Sequence, residues 1–168
     1  MDFPIFRLAA SGRFHKLSLD RYRKDVNSLS NLKSTPLHYA ILGGNEDTVR
    51  YLVKEGARVN TQNVFLESVL HWACKEGNLN IIRFLLQHKA HATALDYRGN
   101  SPMHWAAECD NDKVVLLLLE FGGRPSRHIK NDDGHTPRQV AKRNQSKKAL
   151  TALRRASSRS HPHLSRVP

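Results

Sequence analysis

Three histidines, His38, His71 and His104, lie 33 residues apart, each inside a near-copy of one phrase. The copies read Ser34-Thr35-Pro36-Leu37-His38-Tyr39-Ala40, Glu67-Ser68-Val69-Leu70-His71-Trp72-Ala73 and Asn100-Ser101-Pro102-Met103-His104-Trp105-Ala106. A fixed period of this length marks stacked supersecondary units, none of which buries its apolar face alone. The spacing therefore predicts a solenoid before any local propensity is weighed. It also speaks against an enzyme, because every recurring residue has a structural task.

The rest of each unit repeats in step. Gly44 is matched by Gly77, and the helical runs Val49–Val53, Ile82–Leu86 and Val115–Leu119 follow at corresponding places. Each run closes on a turn: Glu55-Gly56-Ala57, His88-Lys89-Ala90 and Phe121-Gly122-Gly123. The whole resembles the ankyrin-repeat family, whose unit is a β-turn and two antiparallel helices carrying a Thr-Pro-Leu-His-x-Ala phrase. The resemblance implies an all-α solenoid of about five helix-turn-helix units with degenerate end repeats. Residues 1–30 form a degenerate N-terminal cap, with Phe6–Gly12 as a frayed first unit, and residues 31–129 form three full repeats. Residues 130–156 are a degenerate C-terminal repeat and basic capping helix, and 157–168 a disordered tail. In that last unit Gly134–Ala141 keeps the turn and first helix but loses the histidine.

Elementary chemistry explains the recurring residue types. Thr or Ser caps the first helix, and Pro fits its first turn, where no partner is needed for the missing N–H. The histidine after them is expected to bond back to the turn. Leu and Ala at helical spacing let short helices approach closely, and Gly closes helices in a left-handed cap.

Charge divides the chain unevenly. Residues 1–123 carry 15 Lys and Arg against 13 Asp and Glu, a net of +2, whereas residues 124–168 carry 12 against 2, a net of +10. A basic end attracts polyanions, while the nearly neutral body must bind by shape and specific contacts. The apolar runs are too short to cross a bilayer, so no membrane span is expected. Met1-Asp2-Phe3-Pro4 lacks the pattern of a secretory signal. Cys74 and Cys109 read as buried free thiols of a reducing compartment, which places the chain in cytoplasm or nucleus.

Catalytic and metal chemistry find no foothold in the pattern. The close histidine pairs, His88 with His91 and His161 with His163, lack a second ligand pair, and no phosphate-cradling glycine loop or cofactor signature occurs. His71 and His104 precede the two cysteines closely, but the repeat already accounts for both. The expectation is a non-enzyme with no cofactor and no metal, working as a monomer.

The informative surface is the concave side that the resemblance implies. In register, Val64, Phe65 and Glu67 fall on one turn tip, Tyr97, Arg98 and Asn100 on the next, and Asp132, Asp133 and His135 on the last. The first helices present Tyr39, Trp72 and Trp105 in a row, flanked by Leu42, Lys75, Glu76 and Glu108. These aromatics read either as core or as anchors for a protein or peptide partner. Val59–Ala73 also looks like the repeats of the ankyrin-bearing palmitoyltransferases, in which the tryptophan matched by Trp72 recruits substrate peptides. Gly43 departs from that pattern, and the catalytic part is absent. A second class of reading rests on the basic end. Lys142-Arg143 and Arg154-Arg155, with Lys147-Lys148 between, resemble a two-part nuclear import signal, and Arg154-Arg155-Ala156-Ser157 a basophilic kinase site near Ser158 and Ser160. The primary expectation is a protein-binding adaptor, and the alternative a nuclear or nucleic-acid-associated regulator.

Overall fold

The computed structural model describes residues 4–11 and 23–158. Helices α1 (Pro4–Ala10), α2 (Pro36–Leu42), α4 (Val69–Glu76), α6 (Pro102–Glu108) and α8 (Pro137–Arg143) pack one on the next as an inner row. Helices α3 (Glu46–Lys54), α5 (Leu79–Gln87), α7 (Asp112–Glu120) and α9 (Lys147–Ser158) form the outer row. No strand occurs among the described residues, only one antiparallel bridge, Gln62 with Ser68. The fold is the all-α repeat solenoid. Parts of the expected N-terminal cap, together with Ser160, His161, His163 and the rest of the tail beyond Ser158, lie outside the described residues. Helix α9 runs two residues into the segment expected as tail.

The recurring phrase acts as a double connector. Thr35, Ser68 and Ser101 cap the inner helices, and the backbone N–H of each donates to the Nδ1 of the histidine three residues on, at 3.1, 3.1 and 3.0 Å. Because Nδ1 accepts, Nε2 carries the proton. It donates across to the next unit, to the carbonyls of Glu67 (3.3 Å), Asn100 (3.0 Å) and His135 (3.0 Å). The expected bond to the turn is there, and a bond to the following repeat accompanies it. In the last unit Gln139 takes the histidine's local role, its Oε1 accepting from Thr136 N–H at 2.8 Å.

Asparagines at the same period cap the outer helices: Asn45, Asn78 and Asn111 accept from Thr48, Ile81 and Val114 N–H. Asn27 and Asn60 each clamp the next unit's loop, donating to the Gly56 or Lys89 carbonyl and accepting from Arg58 or His91 N–H. One continuous apolar cluster runs from Ala9 through Leu37, Leu52, Leu70, Ile82, Leu85, Met103 and Leu118 to Leu153. Stacking, rather than any single unit, supplies the core.

Candidate partner-binding groove

Between successive inner helices the chain projects four tight turns as fingers. Each closes on an i to i+3 bond: Lys33 N–H to Ser30, Leu66 to Asn63, Gly99 to Asp96 and Gly134 to Asn131 carbonyls. The donor residues all take positive φ, at +56°, +55°, +71° and +76°. Glycine adopts that region freely, whereas Lys33 and Leu66 pay about 1–2 kcal/mol each. The fingers are laced together by Val64 N–H to Leu32, Tyr97 to Phe65 and Asp132 to Arg98 carbonyls, at 2.9, 2.9 and 3.0 Å. The turn tips are therefore a rigid ladder.

That ladder carries an apolar stripe. Phe65 is 42% exposed, Leu66 49% and Tyr97 58%, with the Phe65 and Tyr97 rings 5.8 Å apart and Leu32, Val64 and Leu95 exposed beside them. The inner-helix row is less open. Tyr39, Trp72 and Trp105 are half-buried and pack against the core, so each has an interior face and an outward edge. Tyr39 lies 6.2 Å from Trp72 and 5.2 Å from Phe6, while Trp72 and Trp105 stand edge-on to His38 and His71.

The tryptophan N–H groups are already engaged within the protein. Trp72 Nε1 donates to Glu67 Oε2 at 2.8 Å, an oxygen that also accepts from Asn63 Nδ2. Trp105 Nε1 donates to Asp96 Oδ2 at 2.9 Å. Asp96 is buried, and its carboxylate also accepts from Arg98 N–H, Asn100 N–H and Asn100 Nδ2. Sequence reasoning missed Asp96 as a finger cap. Its signal was the register of small polar acceptors at Ser30, Asn63, Asp96 and Asn131.

Lys75, Glu76, Glu108 and Arg98 are exposed, Lys75 Nζ sitting 5.8 Å over the Trp105 ring and Arg98 3.9 Å from Asp133. The groove ends in a polar cleft of about 260 Å³, where Arg98, Glu108, Asp133, His135, Arg143 and Asn144 meet. Arg143, counted above with the import motif, thus belongs to the groove. Lys142, Lys147, Lys148, Arg154 and Arg155 are exposed on α8 and α9, and Ser157 lies in the last turn of α9.

Cysteine placement corrects the sequence reading at one position. Cys74 is fully buried, but Cys109 is exposed. It shares the register of Gly43 and Glu76 on the open side of the inner helix, not that of Cys74. Burial pushes both thiols up; Cys109 beside Cys74 and Glu108 beside Cys109 add to it, and Lys75 opposes it at Cys109 without reversing it, so neither is an activated thiolate. Gly43 itself faces α1: a Cβ there would lie 2.3 Å from the Ala10 carbonyl oxygen. Among the described residues no group of three or more His, Cys, Asp or Glu side chains is arranged to hold a metal, and no helix is long and apolar enough to cross a membrane.

Stacked two-helix units with a ladder of fingers on one side define a repeat solenoid, a scaffold whose long concave surface serves recognition. The description of ankyrin repeats in three copies matches residues 59–127, and that of a single ankyrin repeat matches residues 33–64. The chain belongs to the ankyrin-repeat family, a protein-interaction fold. It is also 35% identical over 63 residues to alpha-latrocrustotoxin-Lt1a of Latrodectus tredecimguttatus. That likeness covers 36% of this chain and spans only 4% of the toxin's length.

Proposed function

We propose that the protein is a non-enzymatic adaptor that holds a peptide or protein surface across its finger ladder and inner-helix row. One observation carries this reading: Leu66 keeps a left-handed backbone while presenting an exposed apolar side chain beside Phe65 and Tyr97. Two later fingers use glycine at the same place. A leucine there costs stability and exposes apolar surface, and contact with a partner gives both a use. Tyr39, Trp72 and Trp105 then form the inner wall, with Lys75, Glu76 and Glu108 as a polar rim. The tryptophan N–H groups being engaged internally, the partner meets the indole edges by apolar contact. The protein works as a monomer in cytoplasm or nucleus on this reading.

A second reading rests on the exposed Lys and Arg of α8 and α9, which suit a polyanion or an import receptor. Display selection of peptides on the wild-type protein separates the two. Selected peptides are expected to lose about 30-fold or more in affinity on Phe65→Ala/Tyr97→Ala and to hold affinity at high salt. Peptides that bind the double variant unchanged, and release with salt or on Lys147→Glu/Lys148→Glu, would transfer the activity to the basic end.

A further inference from the structure

The outer helices carry a repeating groove of their own. Between α3 and α5 it is closed: the Arg50 guanidinium lies 4.7 Å above the Phe84 ring, and Asn80 Nδ2 donates to Glu46 Oε1 at 2.9 Å. Between α5 and α7 Arg83 covers Phe121 at 5.6 Å and pairs with Glu120 at 3.6 Å. Aligning the helix starts at Asn45, Asn78, Asn111 and Ser146 gives the corresponding positions of the α7–α9 groove. Glu46 becomes Asp112, Arg50 becomes Leu116, Asn80 becomes Lys148 and Phe84 becomes Ala152. The arginine and the ring that fill the earlier groove are both missing.

The groove stands open there. It encloses about 310 Å³, with Leu116 and Ala152 as apolar lining and Lys147, Lys148 and Arg155 at its sides. Leu116 is 49% exposed, which its arginine counterparts make unnecessary elsewhere. Lys147 and Lys148 open α9, where the helix dipole disfavours cations. The opposing acids are Asp112 in the groove and Asp110, whose Oδ1 already accepts the N–H groups of Lys148 and Ala149 at 2.8 and 3.0 Å. Positive charge is thus kept at a place where it costs stability.

We propose that this cleft binds an aromatic ring bearing an anionic group. The ring takes the place of the phenyl that Ala152 lacks, against Leu116, and the anion meets Lys147 and Lys148. Apolar floor and cationic rim together select this ligand: an inorganic anion leaves the floor wet, and a neutral ring leaves the ammonium groups without a partner. A cleft of about 310 Å³ suits one ring with its charged substituent, being at the small end of ligand pockets. The site lies on the outer row, apart from the finger ladder, and does not depend on the adaptor reading.

The test is a heteronuclear NMR titration of the full chain with phenyl phosphate. Saturable shifts are expected on α7 and α9 amides, with inorganic phosphate and benzyl alcohol each binding about tenfold or more weakly. Leu116→Arg separates cleft binding from charge attraction by sign. It adds a cation yet refills the groove as Arg50 does, so binding in the cleft is lost, whereas attraction to a basic surface grows. Lys148→Glu should abolish the shifts, and Ala152→Phe, if folded, should block them as well. A glycine-flanked phosphotyrosine peptide binding more tightly than phenyl phosphate would identify the ligand as a partner's side chain, and equal affinity would identify it as the free ring anion. Equal shifts from inorganic phosphate, or undiminished binding to Leu116→Arg, would overturn the proposal.

Discussion

His38, His71 and His104 each accept at Nδ1 from their own helix cap and donate at Nε2 to the next repeat, and only the neutral ring does both. Burial holds His38 down from 6.5 to about 4, and His71 and His104 are lowered for the same first cause. The unfolded chain takes up these protons below about pH 6.5, while the folded chain refuses them. Stability is therefore complete above that pH and drains as pH falls toward the folded values. For His38 alone the loss reaches about 3 kcal/mol, a large share of a small protein's stability. Urea unfolding at about pH 7.5 and about pH 5 should show the midpoint falling with acid, less so in His38→Gln. A midpoint that does not move would mean the rings are not neutral bridges. Leu66 gives the opposite kind of residue-scale prediction. Leu66→Gly releases the left-handed strain and should raise stability by about 1 kcal/mol in denaturant titrations. If the fingers bind a partner, that same variant should bind selected peptides more weakly. A variant that gains neither stability nor loses binding would leave the leucine without either role.

At the scale of the element, recurrence decides what is legible. The inner helices, their caps and the histidines were readable because one phrase returns at a fixed interval, and the outer helices followed from their apolar runs. Asn45, Asn78 and Asn111 recur with the same period and were equally readable, yet a lone Asn between helices resembles any loop residue. The tethers of Trp72 and Trp105 were not readable, because their acceptors sit five and nine residues upstream and meet the indoles only once the finger folds back. Cys109 was misplaced through comparison with Cys74, when its register partner is Glu76. Gly43 looked like a departure from a binding pattern, but its physical reason is the approach of α1. Gly43→Ala should therefore destabilise by about 1–3 kcal/mol through overpacking against Ala10. Thermal melts measure the loss, and hydrogen exchange should locate it at α1 and α2. An unchanged melt would show that α1 is loosely docked.

For the whole molecule, the near-neutral body and the basic end meet at one residue. Asp110, at φ +53°, sits in the turn between α6 and α7 and caps α9 with its carboxylate, whose Oδ1 accepts Lys148 and Ala149 N–H. A solenoid couples each unit only to its neighbours, so damage at this joint is expected to stay near it. Asp110→Ala removes the cap and leaves two lysines at a positive helix end, a loss of about 1–2 kcal/mol. Amide exchange should then accelerate in α9 and the face of α7 beneath it, where Ala149, Ala152 and Leu153 are buried, while α2 to α5 keep their protection. The open cleft between α7 and α9 should lose its ligand in the same variant, since Lys148 and Leu116 are held in register by that cap. The finger ladder, laced by its own backbone bonds, should keep its peptides. Uniform loss of protection along the chain would instead mean that all the repeats unfold as one cooperative body, and that the end unit is no separate element of stability.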